Sequence, residues 1–394
     1  MTEISSFSSD GYSTCSDRSL PQVSAKDKID SESPSRKYSP EKERQEINSI
    51  IAIGDPIVDI TSYIKPYLVE KYGLKIGDAI FADESSTDRN LEVFKELESM
   101  ATVNYVPGGS VQNTTRVLSW CLRMENKRSN FTVSMLGSIG DDGYKNKILN
   151  ALEDIGVNPL LQIIKGDKTS RCGVGIYQKE KCFVTQLRAS KRLSEDFIKE
   201  NMDKIMNHQA IIIEGYLLKS KFDICENLCE NFSKAKKLVV LTLSATFIIQ
   251  CFNSNLMAIG NKADIIAGNM AEAKELAGNQ GETPKEIFTN CFKKFRPKEN
   301  RLLIITDGPN GAFCAKYDYK NDKLEYLIQQ FANNIKNEDI QDFNGAGDAF
   351  LGGFLSEYMK GNSVLDCLRN GVDAATIILK NVGCTFPKKL NLLY

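Results

Sequence analysis

From residue 47 onward two hydrophobic patterns alternate along the chain. Runs of consecutive apolar residues form the first. "INSIIAIGDPIVDI" opens the series and reads as a buried strand ending in a loop. "FTVSMLGSIGDDG" (131–143), "QAIIIEGY" (209–216), "KLVVLTLSA" (237–245), "ADIIAGN" (263–269) and "RLLIITDGPNG" (301–311) repeat the unit. Each run breaks at Gly, Asp, Asn or Ser. Most are followed by the spaced apolar positions of an amphipathic helix, as in "YKNKILNALEDIG", "KFDICENLCENFSKA" and "MAEAKELAG". Apolar strands between such helices predict a parallel sheet covered on both faces. Ligands of such sheets bind beyond the carboxyl ends of the strands, where these polar breaks fall. One stretch departs from the alternation. "TSRCGVGIYQKEKCFVTQLRAS" (169–190) has mixed polarity and reads as a hairpin turning at 178–181. With "DITSYI" (59–64) it forms a small second sheet, as a lid over the ligand cleft or as a plain edge hairpin.

Residues 1–46 have a different texture, rich in Ser, Lys, Glu and Asp, poor in large aliphatics and without a period. Such a segment buries too little surface to offset its ordering entropy, so a disordered tail is expected. It carries Ser33-Pro34 and Ser39-Pro40, which have the form of proline-directed phosphorylation sites. The 394 residues are 42% apolar, enough for one large α/β domain with an appendage. A net charge of −1 supplies no field toward nucleic acid or an anionic membrane. Eleven scattered cysteines and a single histidine, His208, argue against a zinc site or a disulfide framework and fit a reducing compartment. No window reaches the about 18 apolar residues of a membrane span, and "MTEISSFSSDGYSTCSDRSLP" has no apolar signal core. The expectation is a protein of the cytoplasm, with the nucleus also open to it.

Five short constellations carry candidate chemistry. In "DFNGAGDAF" (342–350) consecutive amides at Asn344, Gly345, Ala346 and Gly347 open a helix and suit an anionic oxygen. Asp348, in the first turn, stands where a base toward a hydroxyl is needed. "PGGSVQNTTRVLSW" (107–120) combines a tight Gly108-Gly109 turn with Asn113 in the first turn of a helix. "GNMAEA" (268–273) has Asn269 and Glu272 at capping-box spacing. The same Glu272 suits a hydrated magnesium ion, which takes one or two carboxylates plus substrate phosphates. "GDPIVDI" (54–60) sets Asp59 just past a strand end, where a carboxylate can accept two sugar hydroxyls. "TDGPNGA" (306–312) is a glycine-rich strand end able to wall a nucleotide base. Taken singly, each is also an ordinary turn or helix start.

Together and in this order they resemble the ribokinase-like (PfkB-type) sugar and nucleoside kinases, in particular the adenosine-kinase branch. Gly108-Gly109, the Asn269/Glu272 motif and "DFNGAGD" match the family's motifs in sequence order. The stretches "GGSVQN", "GNMAEA", "NGAGDAFLGGFLSEY" and "AATIILKNVGCTFP" point to the branch. The resemblance covers roughly residues 48 to 389. It implies an α/β sandwich with a central, mainly parallel sheet between helices and a small β lid, formed roughly by 59–66 and 166–190 of a domain spanning 47–394. It implies transfer of the γ-phosphoryl of ATP, with Mg2+, to the ribose 5′-hydroxyl of adenosine by a protein acting as a monomer. Asp348 would be the base, and residues 344–347 the anion hole. Asp59 would hold the ribose hydroxyls, helped by Gly108, Gly109 and Asn113. Asn269 and Glu272 would organise magnesium, mainly through water. Asp342 would serve the nucleotide side, and Gly308 and Gly311 would border its adenine.

Four positions depart from that pattern. Phe343 replaces a threonine, Asp55 an asparagine beside the ribose, and Lys181 a phosphate-holding arginine whose bidentate fork lysine lacks. Leu217 stands where an aromatic stacks on the purine. The residues therefore also leave open a kinase for another nucleoside or a sugar, and a catalytically weak nucleoside-binding homologue.

Overall fold

The computed structural model describes residues 46–74, 79–82, 90–125, 130–177 and 180–387. Ser33 and Ser39 lie outside them, as does the turn at 178 and 179. In chain order the strands are β1 (Ser49–Ile53), β2 (Ile57–Tyr63), β3 (Ala79–Phe81), β4 (Asn104–Gly108), β5 (Thr132–Gly140), β6 (Val157–Ile164) and β7 (Ser170–Tyr177). They continue with β8 (Glu180–Gln186), β9 (Ala210–Ile213), β10 (Leu238–Thr242), β11 (Ile265–Asn269), β12 (Leu302–Thr306), β13 (Ala312–Asp318) and β14 (Lys323–Gln330). Nine form one sheet in the order β14-β13-β12-β11-β10-β9-β1-β5-β6, parallel from β12 to β6 and antiparallel at the β12-β13-β14 edge. The other five form a second sheet, β3-β8-β7-β2-β4.

The pleat explains why the central strands read as continuous apolar runs. Along β1, Ile50 and Ala52 face one core with Val133, Met135, Ile212 and Val240. Ile51 and Ile53 face the other with Leu136, Ile211, Ile213 and Leu241. Helices Ser110–Glu125, Ala346–Met359 and Val364–Leu379 cover the first face. Helices Phe222–Lys234 and Pro284–Lys294 cover the second.

"INSIIAIGDPIVDI" is not one strand and a loop but two strands in different sheets. β1 ends at Ile53, Gly54, Asp55 and Pro56 make the crossing, and β2 begins at Ile57. The small sheet takes in β3 and β4 besides the hairpin and β2. Among the described residues, no helix is long and apolar enough to cross a membrane.

The glycines of "LGGFL" fix the Ala346–Met359 helix between two others. A Cβ on Gly352 would lie 2.8 Å from the Thr114 carbonyl oxygen, and one on Gly353 would lie 2.6 Å from that of Asn370. Backbone-to-backbone contact of this kind admits only glycine. It draws the start of the 346–359 helix onto the start of the 110–125 helix.

Candidate active site

Those two helix starts meet through three side chains. Ser110 Oγ donates to Asp348 Oδ1 at 2.7 Å, and Asn113 Nδ2 donates to Asp348 Oδ2 at 3.0 Å. The carboxylate is thus held by both oxygens. Burial pushes its pKa up, while the two hydrogen bonds oppose the rise. Gly345 caps the helix with φ of +79°, a left-handed conformation that glycine adopts without strain. The first-turn amides of Gly347 and Asp348 have no carbonyl within the helix to pair with. The amide of Asn344 is not among the anion-facing donors, because it is given to Asp342 Oδ1 at 2.8 Å. Asp342 itself does not reach the cavities. It is buried, and its Oδ2 accepts from the Gly383 amide at 2.6 Å, so it fastens the loop to the C-terminal segment.

Three cavities converge on this helix start, and Gly347 lines all of them. The first, of about 520 Å³, lies between the sheets. Asp55, Gly109, Asn113 and Asp348 line it from the large-sheet side, and Asp59 of β2 with Phe183 and Thr185 of β8 wall it from the small sheet. The Gly-Gly turn makes room for its acids. A Cβ on Gly108 would strike the Asp59 carboxylate at 2.3 Å, and one on Gly109 would strike the Asp55 carbonyl oxygen at 2.4 Å.

Two sequence expectations change at this cavity. Leu217 is not in its wall but fully buried in the core beneath, because the short Gly215–Lys219 helix turns it inward. Its neighbour Tyr216 faces the cavity with Phe247, ring centroids 6.0 Å apart. Asp55 borders the cavity, but its Oδ1 is bound by Lys221 Nζ at 2.9 Å in a pair with both side chains under 10% exposed. Glu214 completes this corner, accepting from the amides of Asp55 at 2.9 Å and Val111 at 3.3 Å. Burial, reinforced by the Asp55 charge, pushes the Glu214 carboxyl up to about 8. Ser110, Glu214, Lys221 and Tyr216 were not singled out from sequence. An acid closing the all-apolar run "AIIIE" was the one available signal.

The second cavity, about 180 Å³, joins Asp348 to Asn269 and Glu272. The capping box is complete: Asn269 Oδ1 accepts from the Glu272 amide at 2.9 Å, and Glu272 Oε2 accepts from the Asn269 amide at 3.0 Å. Burial raises Glu272 to about 7. Among the described residues no group of three or more His, Cys, Asp or Glu is placed to enclose a metal. Two carboxylates, Glu272 and Asp348, beside a helix N-terminus suit a cation that keeps most of its own waters.

The third cavity, about 600 Å³, lies on the other side of Gly347 and is lined mainly by apolar groups. Gly308, Gly311 and Ala346 border it, with Ile340, Phe343 and Leu379. The Lys181 side chain lies outside the described residues.

The chain matches the pfkB carbohydrate kinase family over residues 67–390. It is 30% identical to the adenosine kinase of Dictyostelium discoideum over 86% of this chain and 96% of that protein. The structure of Anopheles gambiae adenosine kinase, solved with di(adenosine-5) tetraphosphate, superposes with a TM-score of 0.77 at 26% identity, over 88% of this chain and all of that one. Apo adenosine kinase of Trypanosoma brucei brucei gives 0.74 at 26% identity, covering 86% of this chain and all of that one. The chain therefore belongs to the pfkB family of carbohydrate kinases.

Proposed function

We propose that the chain is an adenosine kinase, moving the γ-phosphoryl of ATP to the 5′-hydroxyl of adenosine to give AMP and ADP. The observation that carries this reading is Gly347. One residue of a helix start separates an acid-lined cavity from a mainly apolar one without carboxylates, and Asp348 stands beside it on the acid-lined side. Adenosine occupies the 520 Å³ cavity, with Asp59 accepting from ribose hydroxyls and Tyr216 and Phe247 against the purine. ATP occupies the 600 Å³ cavity, and its phosphates extend toward Gly347.

Asp348, oriented by Ser110 and Asn113, accepts the proton of the 5′-hydroxyl as oxygen attacks phosphorus. The amides at the start of the 346–359 helix face the charge that gathers on the transferred group. Glu272 and Asn269 would hold magnesium through its waters, and the ion would neutralise phosphate charge. In this reading the protein acts as a monomer.

The test is ADP release with ATP and Mg2+ against adenosine, inosine, guanosine, cytidine, ribose and fructose 6-phosphate. Saturable turnover with adenosine and little with the rest is expected. Turnover only with another acceptor keeps the chemistry and replaces the substrate. No turnover with any of them rejects the kinase reading.

A further inference from the structure

Phe343 is the most exposed large hydrophobic side chain among the described residues, at 72%. A loose loop does not account for it. On one side Asp342 bridges the amides of Asn344 and Gly383, at 2.8 and 2.6 Å, and on the other the Phe343 carbonyl accepts from the Ala346 amide at 3.4 Å. The backbone is fixed while the ring is presented to solvent at the lip of the 600 Å³ cavity. The cavity is lined mainly by apolar groups, Ile340, Ala346 and Leu379 among them, with Asn333, Asn334 and Asn337 also in its wall, which suits the face of a flat heteroaromatic ring with polar edges rather than a phosphate. No ring of the fold stacks on Phe343 among the described residues, so its faces are available to a ligand.

We propose that Phe343 is the base contact of the phosphate donor. Its ring covers the nucleobase in the 600 Å³ cavity and sets affinity for the base of the donor, not for its phosphates. The inference rests on the donor site assigned above. It gives a role to the one substitution within the "DFNGAGD" motif.

Calorimetric titration with ADP decides it, with tripolyphosphate and adenosine as separate ligands, on the unaltered protein and on Phe343→Ala and Phe343→Tyr. Since the side chain is exposed, both variants should fold, which circular dichroism checks. Phe343→Ala should weaken ADP on the order of tenfold, the scale of one lost aromatic–base stack. Phe343→Tyr should restore it. Tripolyphosphate, however weakly it binds, should be indifferent to both changes. Unchanged ADP affinity in Phe343→Ala overturns the proposal, as does equal weakening of ADP and tripolyphosphate, or an unaltered protein that binds no ADP. Adenosine reports separately on the other cavity. If it fails to bind while the ADP pattern holds, the acceptor assignment falls and the Phe343 contact stands.

Discussion

Asp348 is held by a separate donor on each carboxylate oxygen, so its orientation does not depend on substrate. Replacing it with alanine removes the proton acceptor and leaves the adenosine cavity almost intact. Turnover should fall by about 10²–10⁴-fold, the usual share of a positioned base, while adenosine affinity stays within a few-fold. Near-normal turnover would show that another group takes the proton. The Asp55–Lys221 pair makes a different demand. Both groups are buried, so removing the cation strands a carboxylate in low dielectric. Lys221→Met should cost about 3–5 kcal/mol in urea unfolding, and adding Asp55→Asn should recover most of it. If the double variant is no more stable than the single one, the pair is not what Lys221 serves. Asp348 and Asp59 were legible because they sit in short motifs. Ser110, Glu214 and Lys221 were not, because their partners lie 238, 159 and 166 residues away and no local spacing encodes them.

The start of the 346–359 helix shows what an element contributes beyond its side chains. Glycine at 347, within the first turn, weakens the helix relative to alanine, and a Cβ there would meet no neighbour within 4 Å. That open space is where the three cavities join. Gly347→Ala should therefore raise stability by up to about 1 kcal/mol and lower turnover by roughly 10²-fold, since a methyl group would displace the reacting phosphate. Thermal unfolding and steady-state kinetics on one preparation would test this, and a variant losing both stability and activity would refute it. Elements with both faces buried were readable, as β5, β9, β10, β11 and β12 lie within the apolar runs. The edge elements were not. β6 carries Pro159 and Gln162 and β4 carries Pro107, since an edge strand can leave a backbone donor unpaired. At Gly215–Lys219 the aromatic that faces the cavity lies one position from the leucine expected there. A single turn of 3₁₀ helix decides which side chain enters the site, and periodicity does not resolve it.

At the scale of the whole molecule the chain passes between the two sheets four times, and Glu214 fastens the shortest crossing, Gly54 to Pro56. Glu214 follows β9 of the large sheet and accepts the amides of Asp55, in the crossing, and Val111, beneath the cavity. Its carboxyl rises from 4.5 to about 8 on folding, chiefly through burial. Between those values the folded chain binds a proton that the unfolded chain has released. Stability must therefore fall as pH climbs from about 4.5 through about 8 and level off above, with a limiting slope of about 1.4 kcal/mol per pH unit for one proton. Glu272 adds the same sign up to about 7. Glu214→Gln keeps the shape and one amide acceptor without the titration. Urea unfolding at pH 5.5, 7 and 8.5 should then show the unaltered protein losing ground against the glutamine variant as pH rises. Parallel profiles would mean that Glu214 stays ionised, with its two amide bonds outweighing burial. The crossing would in that case be clamped by charge rather than by a neutral acid.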